Sequence, residues 1–339
     1  MRFCWCPRSR AGRSRPRCPT TLKDRSSQLA ITLFSTVAAK HDRISSVVSK
    51  STLPSRSAAE HHEAGIALAS ERRFAEAVKE YLEAARLNPN FSQTFYNLGV
   101  AYGELGQLKA AIKAYNRAVH LDPKDWQAYC NLGVDYVNSR QYANAIDAFR
   151  RGAELNPQDM TLFVSIGYNC GRLKRYSEAI ESYSHAVELK PDFAIGWYNI
   201  SLFHFHLHHY RDAVLAAERA LAIDPDYDEP YVVIGMARRE SRDLDGAIAA
   251  FKRAAEINPS FMEAHANLGE AYLQCKQVDA ALRQLQWAVQ LHPKEPWLYR
   301  TLALAHWKRR EVVAAARDWR RAIYLCLSRA LSSGPWVNW

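Results

Sequence analysis

The sequence predicts an all-α solenoid built from eight helix–turn–helix hairpins. Three observations predict it. Seven prolines, Pro89, Pro123, Pro157, Pro191, Pro225, Pro259 and Pro293, stand 34 residues apart without an insertion, and 34 residues is the length of one hairpin stacked on its neighbours. An alanine recurs at one place in every repeat. Small and large residues alternate in fixed columns, which an ordinary helical bundle has no reason to keep in register.

With each proline at position 32, the repeats begin at Ala58, Ser92, Trp126, Met160, Ala194, Asp228, Met262 and Pro296, and the eighth has Leu327 in place of the proline. The first helix of each repeat carries positions 4, 7, 8 and 11 on one face. Position 4 is aromatic or histidine, position 7 is aliphatic from Leu98 to Leu302, and position 8 is small (Gly65, Gly99, Gly133, Gly167, Ser201, Gly235, Gly269 and Ala303). Glycine inside a helix costs roughly 1 kcal/mol against alanine, so its recurrence predicts a close helix–helix approach that offsets the cost. The second helix carries positions 20, 24 and 27. Position 20 is Ala77, Ala111, Ala145, Ala179, Ala213, Ala247, Ala281 and Ala315, and position 24 is large except at Ala217. The proline bars its predecessor from helical geometry, so the second helix should end near position 31.

The eight hairpins span residues 58–329, long enough for a continuous core. The chain's net charge of +10 belongs entirely to residues 1–57, where 12 Lys/Arg face only Asp24 and Asp42; the remainder holds 33 basic and 33 acidic residues. A neutral array offers no electrostatic footprint for a phosphate backbone, so nucleic acid is not an expected partner. Residues 1–57 form a basic leader. Its first 25 residues, arginine-rich and without hydrophobic period, read as disordered. Leu29–Ala39 is moderately apolar but too short to span a membrane. Three readings fit the leader: an organelle transit peptide, the core of a secretory signal with Val37, Ala38 and Ala39 near the cleavage point, or a translated segment upstream of the true start. No other segment reads as membrane-spanning, and the array itself is expected to be cytoplasmic. Of seven cysteines, Cys4, Cys6 and Cys18 lie in the leader, and Cys130, Cys170, Cys275 and Cys326 are scattered through the repeats without pairing or zinc spacing. This fits a reducing compartment.

These columns resemble the tetratricopeptide repeat, over most of the chain. The resemblance implies a right-handed superhelix whose first helices line a concave groove, and a role in holding other proteins. Position 6, which packing does not dictate, reads Glu63, Asn97, Asn131, Ser165, Asn199, Val233, Asn267 and Thr301. In arrays of this family such as that of O-linked N-acetylglucosamine transferase, an asparagine ladder at this position grips the backbone of an extended peptide. The resemblance therefore assigns backbone contacts to Asn97, Asn131, Asn199 and Asn267. An amide offers both donor and acceptor to a peptide unit, each bond contributing only ~0.5–1.5 kcal/mol net, so several are needed. The alternative is that these amides serve the family's own packing and bond to a neighbouring repeat. Tyr168, Tyr198, Leu202 and Met236 nearby would supply apolar pockets for partner side chains, or else pack adjacent first helices together. The family's clamp for heat-shock-chaperone tails needs lysine and asparagine at positions 5 and 9 of one repeat. No repeat has the pair, so that partner is not expected.

His204 and His208, four apart in repeat 5, have the spacing of a helical metal pair. However, His204 occupies core position 11, and no third ligand is evident in the adjacent sequence, so a solvated turn with one packed ring is the expectation and no metal or cofactor is assigned. Ala217 in the same repeat leaves space that Phe203 or Phe205 would fill. No glycine-rich phosphate loop, nucleophile elbow or interpretable Ser/His/Asp set is present. Asp243 and Asp245 sit where acids favour a helix N-terminus. Residues 330–339 form a short tail with Trp336 and Trp339. Three readings fit it, in place of the usual polar cap: it folds back over the last hairpin, it promotes self-association, or it marks a truncated reading frame.

The sequence therefore leads to a non-enzymatic adaptor that binds an extended segment of a protein partner. The alternatives are a scaffold self-assembling through its C-terminal end, and an accessory region of a glycosyltransferase-type enzyme.

Overall fold

A computed structural model of the chain describes residues 56–332. The readings placed on residues 1–55 and on Trp336 and Trp339 lie outside the described residues. Among the described residues the fold is all-α, with sixteen helices. The first helices of the repeats are α1 (Ala58–Ser70), α3 (Ser92–Glu104), α5 (Trp126–Asn138), α7 (Met160–Arg172), α9 (Ala194–His206), α11 (Asp228–Glu240), α13 (Met262–Gln274) and α15 (Pro296–Lys308). The second helices are α2 (Phe74–Leu87), α4 (Leu108–Leu121), α6 (Tyr142–Leu155), α8 (Tyr176–Leu189), α10 (Tyr210–Ile223), α12 (Leu244–Ile257), α14 (Val278–Leu291) and α16 (Val312–Ser332). Each first helix starts at the residue that the proline register names. The second helices up to α14 stop at position 30, two residues before the proline. With Leu327 at that place, α16 runs on to 21 residues.

The residues fall into two compact bodies, one reaching Asn169 and the other starting at Cys170. Within each, a helix packs on its neighbours in sequence, and the first helices of successive repeats also touch.

The glycine column has the predicted cause. A Cβ on Gly65 would come within 2.5 Å of the Tyr81 ring, on Gly99 within 2.7 Å of Tyr115, on Gly133 within 2.6 Å of Phe149 and on Gly235 within 2.5 Å of Phe251. Position 8 is thus the socket for the ring at position 24 of the same hairpin. The alanines at position 20 are fully buried, or nearly so, throughout. Repeat 5 departs from the rule. Ser201 and Ala217 are both fully buried, and Ala217 packs with Ile234 and Ala250. Phe203 turns instead to Gly171, whose Cβ would lie 2.6 Å from its ring, and to Tyr176 and Tyr183 at 5.8 and 6.0 Å between centroids.

The turn inside every hairpin is one device. Position 15 is left-handed in all eight repeats: Arg72, Gly106, Arg140, Lys174, His208, Arg242, Lys276 and Arg310 have φ between 58° and 70°. The following N–H reaches back to the carbonyl at position 11, as in Arg73 to Leu68 at 2.9 Å and His209 to His204 at 2.9 Å. This closes each first helix in the Schellman manner. Only Gly106 is the residue type that this backbone favours; six of the others are cations, which suit the negative end of the helix.

Local caps add to this. Ser57 and Glu60 form a reciprocal capping box on α1, and Asp243 accepts from Gly246 N at 2.9 Å at the start of α12. Cys130 and Cys170 are buried, and burial pushes the Cys130 thiol up to about 12.

Candidate functional site

In each body the candidate site is that body's own set of position-6 side chains on the first helices, together with the aromatic residues beside them. In the body ending at Asn169, Asn97 on α3 is half-buried and accepts from Gln93 Nε2 at 3.4 Å. Asn131 on α5 is half-buried and donates from Nδ2 to the Tyr96 hydroxyl at 3.1 Å. This amide joins one repeat to the next. The Tyr96 ring in turn stands edge-on to Tyr115, 5.9 Å away. Tyr168 on α7 is half-buried. Ser165, also at position 6, donates to Thr161 O at 2.8 Å.

In the body starting at Cys170 the column is more closed. Asn199 is 2% exposed; its Nδ2 donates to Ile195 O at 2.8 Å, and its Oδ1 is enclosed without a hydrogen-bond partner. Asn267 Nδ2 donates to Glu263 O at 2.8 Å, while its Oδ1 accepts from Arg239 Nη1 at 3.3 Å. Thr301 Oγ1 donates to Trp297 O at 3.1 Å. Four position-6 side chains, Ser165, Asn199, Asn267 and Thr301, therefore bond the carbonyl one turn back in their own helix, a local option open to short polar side chains. An amide that donates once keeps a second N–H. Tyr198 and Leu202 are partly buried against a core cluster that contains Met236, itself 7% exposed, and the Tyr198 ring lies 5.3 Å from that of Tyr227.

Two features escape the column reading. The first is Arg239, whose guanidinium also pairs with Glu270 Oε2 at 3.0 Å. It is the only charge at position 12, where the other repeats have Ala69, Gly103, Val137, Gly171, Phe205, Leu273 and Trp307, and that singularity is the signal that could have found it. The second lies in the turn of repeat 5. The pair the spacing suggested, His204 and His208, does not come together as a ligand set, because His208 takes the left-handed position and its Nδ1 faces the Tyr210 hydroxyl at 2.8 Å. His209 and Asp212 are the groups brought to His204.

At the C-terminal hairpin, large apolar side chains face solvent: Val313 is 86% exposed, Trp307 62% and Tyr324 60%, with Ile323 and Leu327 close behind. Among the described residues, no helix is long and apolar enough to cross a membrane.

A hairpin of fixed length, repeated with its packing columns intact, defines the class: a helical-repeat protein, whose stacked units present extended surfaces. The repeats are tetratricopeptide repeats. Models of that repeat match residues 92–125, 126–159, 167–228 and 238–302, and a further model described as TPR repeat matches residues 65–106. No curated protein matches the chain. Among solved structures, the C-terminal part of a TPR repeat-containing protein from Cytophaga hutchinsonii is similar, with a TM-score of 0.58 and 14% identity over 71% of this chain and 99% of that one. A tetratricopeptide repeat protein from Parabacteroides merdae gives 0.57 and 14% over 69% and 93%. The APC/C hetero-tetramer Cut9-Hcn1 gives 0.52 and 17% over 80% and 53%. At these identities the likeness is one of fold.

Proposed function

We propose that the chain is a non-enzymatic adaptor that holds an extended segment of a partner protein along its first helices. The observation that carries this reading is the state of Asn97 and Asn131. Both stay half-exposed, and both bond to side chains, Gln93 and Tyr96, rather than to their own helix backbone. Side-chain partners can be exchanged for a peptide unit at little cost, since one hydrogen bond replaces another. In the other body, Asn267 contributes its remaining N–H, and Tyr198 and Leu202 offer the partly buried apolar wall. Met236, being buried, supports that wall from behind, and Asn199 is buried against its own helix. On the same asparagine column we infer a likeness to the arrays of O-linked N-acetylglucosamine transferase type, which a glycosyltransferase among the captured partners would support.

The test begins with affinity capture by the intact chain and mass spectrometry of what is retained. The Asn97→Ala, Asn131→Ala double variant is then compared with the native chain against the partner found. Loss of two bonds predicts affinity weaker by roughly ten-fold or more, with the melting temperature lowered only by the loss of the Asn131–Tyr96 bond, about 0.5–1.5 kcal/mol. The Asn97→Ala single variant, which breaks no bond between repeats, should weaken binding with the melting temperature unchanged. Undiminished affinity would remove the asparagine grip.

A second reading rests on the exposed Trp307, Val313 and Tyr324: these side chains would join copies of the chain into a scaffold. Sedimentation at rising concentration tests it, and a monomer throughout eliminates it.

A further inference from the structure

The turn of repeat 5 gathers three metal-binding groups away from the position-6 row. His204 lies near the end of α9, His209 precedes α10, and Asp212 follows one helical turn later. One ligand atom from each lies within 4.8 Å of the other two. The backbone explains the meeting. His208 at φ 62° reverses the chain, and His209 N–H bonds His204 O at 2.9 Å. The two rings thus come to 5.8 Å between centroids, and a spacing of three sets Asp212 on the same helical face as His209. Every repeat makes this turn, yet only repeat 5 places His, His and Asp at positions 11, 16 and 19. Repeat 3, for instance, has Tyr136, Gln141 and Asn144 there. Packing therefore does not require the set. In addition, His204 Nδ1 is enclosed without a hydrogen-bond partner.

We propose that this turn binds a divalent transition-metal ion of the zinc class through one ring nitrogen each of His204 and His209 and a carboxylate oxygen of Asp212. Two imidazoles and one carboxylate suit zinc, nickel or cobalt; calcium and magnesium call for oxygen donors. Tetrahedral coordination with bonds near 2.0 Å needs ligand atoms about 3.3 Å apart. The remaining approach falls to His209 and Asp212, whose exposed side chains are free to rotate. Three protein ligands leave a position for water or an incoming donor.

Zinc titrated alone into the intact chain by calorimetry is expected to bind saturably. His209→Ala and Asp212→Asn, both at exposed positions, should each weaken binding about ten-fold or more, while His208→Ala leaves it unchanged. Cobalt substitution should give visible d–d bands without the near-ultraviolet thiolate band that Cys4, Cys6 or Cys18 would produce. The proposal fails if the native chain takes up no zinc, if both variants bind as tightly as the native chain, or if the first equivalent of cobalt shows the thiolate band.

Discussion

Repeats 3 and 5 share one frame and fill it differently. In repeat 3, Gly133 receives the Phe149 ring, the buried acid Asp135 stands at position 10 and Tyr136 at position 11. In repeat 5 the same places hold Ser201, Ala217, Phe203 and His204. The exchange is concerted: where position 24 loses its ring, position 8 gains a side chain, and a phenylalanine at position 10 packs back toward Gly171 and Tyr183. The frame thus fixes where helices lie, while a change of filling in one hairpin is taken up together with its neighbours along the array.

The largest expected effect tests whether that compensation is real. Phe149→Ala gives repeat 3 the position-24 residue of repeat 5 without its compensation, and should cost about 3–5 kcal/mol. Denaturant unfolding with hydrogen exchange along α5 and α6 would register it. A loss below 1 kcal/mol would mean that the hairpins tolerate the missing ring unaided.

Next comes pH. Burial pushes the Asp135 carboxyl up to about 6, and its Oδ2 has no hydrogen-bond partner. The folded state favours the neutral form, so Asp135 supports the fold below its unfolded value near 4, and this support is lost as pH rises through about 6. Burial lowers the His204 pKa, the opposite case. Its contribution is present above about 6.5 and lost as pH falls through the lowered folded value. Asp135→Asn should therefore raise stability at pH 7 by about 1–3 kcal/mol, and His204→Gln should lessen the loss on acidification. Melting curves between pH 5 and 8 distinguish the two; equal pH slopes for both variants would refute the assignment.

The smallest effect is common to both repeats. Arg140→Gly and His208→Gly each relieve a left-handed residue and should stabilise by about 0.5–1 kcal/mol, the strain relieved less the entropy glycine adds to the unfolded chain. A gain at Arg140 but not at His208 would indicate that the Tyr210 contact already offsets the strain there.

The fold was legible because its information is repeated. Pro89 and its six successors mark the ends of the second helices, and Gly133 with Phe149 is one of several statements of the same contact. What was not legible depends on things stated once or not at all. Nothing in Arg72 or Lys174 as residue types announces a left-handed backbone; only the geometry of closing a hairpin in three residues imposes it. The Asn199 amide was read as facing a partner, yet an asparagine one turn beyond Ile195 can reach that carbonyl, and sequence spacing does not decide between the two. Met236 belonged to an apolar neighbourhood in either reading; its burial follows from the approach of α9 and α11. His209 and Asp212 were missed because ligands were sought at helical spacing from His204, whereas the turn reverses the chain between them.

Within each body, the helices that pack together lie one or two places apart along the chain. Contacts so local make the array an elastic element: under tension it should yield hairpin by hairpin, and each piece should snap back quickly because its partners are never far away along the strand. Yielding in steps and recovering without global rupture is what contacts confined to a 34-residue period predict.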